Sequence, residues 1–178
     1  MSFSSSKSIR QSLFAIAAVL AAGAAQAQSN PWTTVGSAGV VDDADAGIVD
    51  FVAGEARMRS DAAVGSMLNL RYNVVSLPGF SGPGQYTMRA RFRDNGAGAN
   101  VRLDLRRYQN NGINSLQATF NSDDYAPSSS YQTQAECILV DWDFNTSGYY
   151  IEATLHKGAA AGTPALALIQ LVPGVCQL

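Results

Sequence analysis

The chain has 178 residues, of which 47% are hydrophobic and 15% charged, with a formal net charge of −2. It is too apolar to be disordered, too short for two ordinary domains, and not basic enough for a nucleic-acid binder. After the first leader-like segment it holds no apolar run of membrane-spanning length.

The N-terminus reads as an export leader. Lys7 and Arg10 form a positive region, Leu13 to Ala25 is apolar and Ala-rich, and Ala25-Gln26-Ala27 is a small-x-small cleavage site. Cleavage after Ala27 leaves a mature chain that starts at Gln28, is secreted or periplasmic, and forms a single domain over 28–178. That chain keeps ten basic and all fourteen acidic residues, a net formal charge of −4. The two cysteines, Cys137 and Cys176, lie in the exported part, where thiols oxidise, so they are expected to pair. A closed loop of about 40 residues corresponds to roughly 4 kcal/mol in the chain-entropy model.

Period-two alternation dominates the mature chain, the pattern of half-buried strands. In chain order it predicts strands at Trp32 to Val35 and Glu55 to Arg59, then a clearer one at Met67 to Val74. Gly36 to Val49 reads as a long loop. From Tyr86 to Arg93, Tyr86, Met88, Ala90 and Phe92 face one way and Thr87, Arg89, Arg91 and Arg93 the other. Asp94 to Gly98 has turn composition. Val101, Leu103 and Leu105 then alternate with Arg102, Asp104 and Arg106, and Asn110-Asn111-Gly112 turns into Leu116, Ala118 and Phe120. The expectation is a three-stranded antiparallel meander. Asp123 to Ser130 reads as a loop. Gln134 to Trp142 contains Cys137-Ile138-Leu139-Val140, apolar on both faces, and is expected to be central. Tyr149 to Lys157 and Ala165 to Val172 complete the set. Eight or nine short strands and no mature helix predict an all-β, two-layer antiparallel β-sandwich of jelly-roll type. The strand count and the leader resemble jelly-roll modules in general, including carbohydrate-binding ones. Folds of this kind host many functions, so no site residue is carried over.

Few residues could carry acid–base chemistry. His156 is the sole histidine, and no G-x-S-x-G or H-E-x-x-H motif is present. Asp141, Asp143 and Glu152 could supply the two carboxylates of a glycoside hydrolase. The same stretch has a weak calcium reading: Asp141, Asp143, Asn145 and Glu152 approach a D-x-[DN]-x-[DN]-G-x5-E loop, but Thr146 replaces its glycine and the flanks are strands. The simpler reading is a hairpin tip.

The most distinctive feature is the polar face of the meander. If its strands pair, Arg89, Arg91 and Arg93 lie beside Arg102, Asp104 and Arg106, with Tyr108, Gln117 and Thr119 extending the patch and Arg71 joining from a neighbouring strand. Such a face calls for neutralisation by an acidic polysaccharide or by the chain's own Asp42-Asp43-Ala44-Asp45 run, folded back or from a neighbouring molecule. The reading favours an exported, non-enzymatic module that binds a ligand or surface component, a glycan first, with no cofactor. The alternatives are a self-associating subunit of an extracellular layer or fibre, and a carboxylate-dependent hydrolase.

Overall fold

A computed structural model describes residues 30–96 and 98–174. The leader and Cys176 lie outside these residues. Eleven strands are present: β1 (Trp32–Val35), β2 (Val40–Val41), β3 (Val49–Val52), β4 (Glu55–Met58), β5 (Ser66–Val74), β6 (Gly82–Asp94), β7 (Ala99–Gln109), β8 (Asn114–Asn121), β9 (Ser128–Trp142), β10 (Ser147–Lys157) and β11 (Ala165–Pro173). They form two antiparallel sheets. The six-stranded sheet runs β3-β4-β11-β6-β9, with β1 also pairing β11, and the five-stranded sheet runs β2-β5-β10-β7-β8. Most consecutive strands cross from one sheet to the other, the winding expected of a jelly roll.

Alternation assigns the inner faces correctly except at Leu116, which the β7–β8 irregularity turns outward and leaves 50% exposed. Met88, Ala90, Phe92, Leu166, Ile169 and Leu171 of the six-stranded sheet meet Leu68, Leu70, Val101, Leu103, Leu105, Ile151 and Leu155 of the other, all fully buried. Each sheet has one apolar face, and the second layer removes it from water. One end is closed by Phe80, Tyr86, Trp142, Phe144 and Tyr149, whose ring centroids lie 4.6–5.5 Å apart in successive pairs. At the other end Phe120 packs between Phe92 and Tyr125. Gly36 marks the tightest approach of backbone to backbone. A Cβ there would lie 1.9 Å from the Leu166 carbonyl oxygen, and the Gly36 carbonyl accepts a 2.6 Å bond from the buried Tyr72 hydroxyl.

Four expectations are corrected. First, β6 and β7 are not hairpin partners: β6 pairs β11 and β9, whereas β7 pairs β10 and β8. The intervening segment is an arch between the sheets. Its anchor is Asp94, which is buried, accepts from Gly96 N at 2.9 Å and accepts from the Ser122 hydroxyl at 2.5 Å. Ser122 in turn accepts from Val101 N at 2.8 Å. Only the β7–β8 half of the meander is a hairpin, with Gly112 at φ 85° in its turn. Second, β9 is an edge strand, not a central one; Cys137 is exposed and Leu139 is 71% exposed. Third, the stretch read as a loop from Gly36 to Val49 contains β2, and Val49 begins β3. Fourth, Asp141, Asp143 and Asn145 do not form a hairpin tip, because β9 and β10 belong to different sheets.

Candidate functional site

The outer face of the five-stranded sheet is built by the outward-facing members of three alternating strands. Met67, Asn69 and Arg71 come from β5, Glu152, Thr154 and His156 from β10, and Asn100, Arg102, Asp104 and Arg106 from β7. Register places them in rows across the sheet. Arg71 pairs across to Glu152, and Glu152 to Asp104; Asn69 pairs to Thr154, and Thr154 to Arg102. Met67, His156 and Asn100 make the next row. All of these residues except Arg71 line a shallow depression of about 550 Å³.

Its centre is a closed charge network. Asp104, 8% exposed, accepts from Arg102 Nε at 2.9 Å, from the Thr119 hydroxyl at 2.8 Å and from Arg106 at 3.4 Å. Arg106 Nε lies 2.7 Å from Glu152 Oε2, an ion pair in which the N–H is not directed at the oxygen. Arg71 bonds Asp42 through both terminal nitrogens, at 3.0 and 3.1 Å, and lies 3.9 Å from Glu152. Asp45 accepts from both the backbone N and the side-chain amide of Asn69, whose carbonyl oxygen accepts from Thr154. Part of the Asp42 to Asp45 run therefore folds back onto this face, one of the two expected sources of neutralisation. Three arginines pair with three carboxylates here, Asp42, Asp104 and Glu152, and Asp45 adds a fourth carboxylate. The expected excess of positive charge is absent from this face.

At one end of the face the row of Asn73, Tyr150 and Arg106 is followed by Tyr108, 52% exposed. The Tyr150 hydroxyl accepts from the Asn114 amide at 2.8 Å, which fixes its ring. Gln117 does not join them. It sits at an irregularity in the β7–β8 pairing and lines a separate depression with Gln85, Leu139 and Asp141 at the sandwich edge.

Arg89, Arg91 and Arg93 lie on the outer face of the other sheet, so the predicted patch is divided between two opposite surfaces. Arg91 and Arg93 both lie over the Tyr131 ring, each 5.6 Å from its centroid. The Tyr131 hydroxyl donates to Glu55 at 2.5 Å, and Arg57 pairs with the same carboxylate at 2.5 Å. Burial opposes ionisation of Glu55, but the hydrogen bonds from Tyr131 and Arg57 outweigh it and hold the carboxyl below its usual range. Burial, followed by the bond to Glu55, pushes the Tyr131 phenol up. Sequence reasoning missed Glu55 and Tyr131, because Tyr131 falls between the segments read as a loop and as a strand.

The calcium-like set is dispersed. Glu152 is held in the Asp104 network. Asp141 faces outward from β9, on the six-stranded sheet. Asp143 serves the arch between β9 and β10: its carboxylate accepts from Asn145 N at 3.1 Å and from the Thr146 hydroxyl, and Arg107 lies 3.6 Å away. The Thr146 bond, set against burial and joined by bonds from Asn145 and Thr146 N, lowers its pKa. Tyr149 seals the arch by accepting from Asp143 N at 2.8 Å and donating to the Asp141 carbonyl at 2.9 Å. Among the described residues no three His, Cys, Asp or Glu side chains converge as a metal site. The same dispersal keeps Asp141 and Asp143 apart from Glu152 as a hydrolytic pair.

No family model and no curated protein matches the chain. Solved structures similar to it include the C-terminal CBM6 of a marine laminarinase from Zobellia galactanivorans, at 12% identity and a TM-score of 0.48, covering 80% of this chain and 99% of that one. A family 35 carbohydrate-binding module from Clostridium thermocellum is similar at 15% identity and a TM-score of 0.48, covering 82% of this chain and 99% of that one. A third is the CBM36-1 domain of a multidomain xylanase from the hindgut metagenome of Trinervitermes trinervoides, at 12% identity and a TM-score of 0.46, covering 84% and 100%. No residue or ligand is carried over from them.

Proposed function

We propose that this protein is an exported, non-enzymatic module that binds a neutral oligosaccharide on the outer face of its five-stranded sheet. The observation that carries this reading is the depression lined by Asn69, Asn100, Arg102, Asp104, Glu152, Thr154 and His156. Sugar hydroxyls donate and accept at once. They suit a surface where fixed amides, carboxylates and guanidiniums alternate over a few ångströms. The side chains at its centre are already tied to one another, so a ligand need not order them on arrival. The balanced charge supplies no general attraction for anions. Tyr150 and Tyr108 extend the face with aromatic surface for the apolar side of a sugar ring.

The test is a screen of neutral soluble polysaccharides by affinity electrophoresis, followed by calorimetry on any hit. Arg102→Ala should weaken binding by about tenfold, the loss of one charge-assisted bond. Absence of any neutral ligand on a broad glycan array, or equal binding by the variant, overturns the reading.

A second reading, self-association into an extracellular layer, draws on β9. This edge strand exposes Leu139 at 71%, and exposed apolar edges template pairing between chains. Light scattering across a concentration series would show growth that Leu139→Lys abolishes. A monomer at all concentrations would eliminate it.

A further inference from the structure

We infer that the outer face of the six-stranded sheet is a second, independent binding surface, for a polysaccharide bearing carboxylate or sulfate groups. Arg89, Arg91 and Arg93 project from one strand at positions two apart, a spacing of about 6.8 Å per step along an extended chain. Their cross-strand neighbours are neutral. Arg89 lies between Gln170 and Ala135, and Arg91 between Leu168 and Thr133. Among the described residues no carboxylate comes within ion-pair distance of Arg89 or Arg91, while Arg71, Arg102 and Arg106 on the opposite face each have one. Arg89 and Arg91 are both exposed. In a chain of net negative charge, Arg89 and Arg91 are adjacent uncompensated positive charges, and Arg93 beside them lies in the field of Glu55.

The row of three arginines is also shaped. Tyr131 lies beneath Arg91 and Arg93, and the Thr163 carbonyl accepts from Arg93 Nε at 3.0 Å, which sets the direction of that side chain. Arginine forks held in this way present paired N–H groups to carboxylate or sulfate oxygens. The covered ring explains the choice of polysaccharide over single-stranded nucleic acid. Sequence-tolerant binding of nucleic acid relies on aromatic faces open to stack bases, and the arginines occupy this one. A linear polyanion needs only a row of cations.

The experiment compares polygalacturonate, dextran sulfate, neutral dextran and single-stranded DNA by affinity electrophoresis at several salt concentrations. The full secreted protein should bind the first two and not neutral dextran. Its affinity should fall steadily as salt rises, since the arginines are solvent-exposed. Arg89→Ala with Arg91→Ala should weaken binding by about tenfold or more, two charge-assisted contacts being lost. Thr133→Glu offers a check that leaves every arginine in place. It sets a carboxylate opposite Arg91 and should weaken polyanion binding while the melting temperature holds. Equal polyanion binding by wild type and both variants overturns the proposal, as does tighter binding of DNA than of either polysaccharide. Arg102→Ala should leave polyanion binding unchanged, so failure at this face and failure at the five-stranded face are read separately.

Discussion

The two outer faces of the sandwich are built by the same alternation, yet they differ in how their arginines are answered. On the five-stranded sheet β7 lies between β10 and β8, which bring Glu152 and Thr119 against Asp104, Arg102 and Arg106. On the six-stranded sheet β6 lies between β11 and β9, which bring Gln170, Leu168, Thr133 and Ala135 against Arg89 and Arg91. One face is a self-satisfied network with fixed polar groups. The other carries two open cations, Arg89 and Arg91, next to an Arg93 that is held in place. The sign and freedom of a charged strand are thus decided by the strands beside it.

Four experiments put this contrast under strain. The largest effect is expected from the proposed Cys137–Cys176 bond, which would tie the C-terminal tail to the edge of the six-stranded sheet. Reduction should cost roughly 4 kcal/mol by the chain-entropy model. Mass spectrometry under non-reducing conditions checks the bond, and two free thiols would dismiss it. Next comes Asp104→Ala. Removing this nearly buried carboxylate strands Arg102, Arg106 and the Thr119 hydroxyl, and denaturant unfolding should show a loss of about 2–4 kcal/mol. A loss below about 0.5 kcal/mol would mean that the network is only a solvated surface.

The third experiment uses pH. The Glu55 pKa is lower in the folded chain than in the unfolded one. Its contribution is therefore present above the unfolded value of about 4.3 and lost as pH falls through the folded value. Glu55→Gln should flatten the acid limb of the stability curve, while the neutral-pH side keeps its shape. Identical acid limbs would show that Tyr131 and Arg57 do not favour the ionised form. The smallest effect belongs to Arg89→Ala with Arg91→Ala, which should change stability by less than about 0.5 kcal/mol, because neither side chain is needed by the core. A marked loss would mean that another part of the chain covers this face.

Which residues face inward was legible in the sequence, because alternation is a local property of one strand. Which strands lie side by side was not, because pairing is decided by distant segments. Asp94-Asn95-Gly96 has the composition of a hairpin turn, and the hairpin reading put five arginines on one surface. One signal pointed elsewhere. Asp94 continues the parity of Tyr86, Met88, Ala90 and Phe92, so a simple strand would turn its carboxylate toward the core. The structure keeps that direction and gives the carboxylate Ser122 as a partner. The central placement of β9 failed for a related reason. Its apolar outer residues, Leu139 among them, are exposed at an edge and not covered by a second layer. The charge network was out of reach, since Glu152 meets Asp104 across 48 residues of chain.

The pairing of β1 with β11 has a consequence in time. Trp32 is registered with Leu171 and Val35 with Leu168, and β11 also holds β4 and β6. Without β11 the six-stranded sheet falls into unconnected pieces: β3 with β4, β6 with β9, and β1 alone. That sheet can assemble only after the segment from Ala165 to Pro173 has been synthesised, and its closure joins residues far apart in sequence. Folding dominated by such non-local pairing is slow, on the order of milliseconds to seconds. Completion of the six-stranded sheet is therefore the last event of folding, whatever the five-stranded sheet has formed before it.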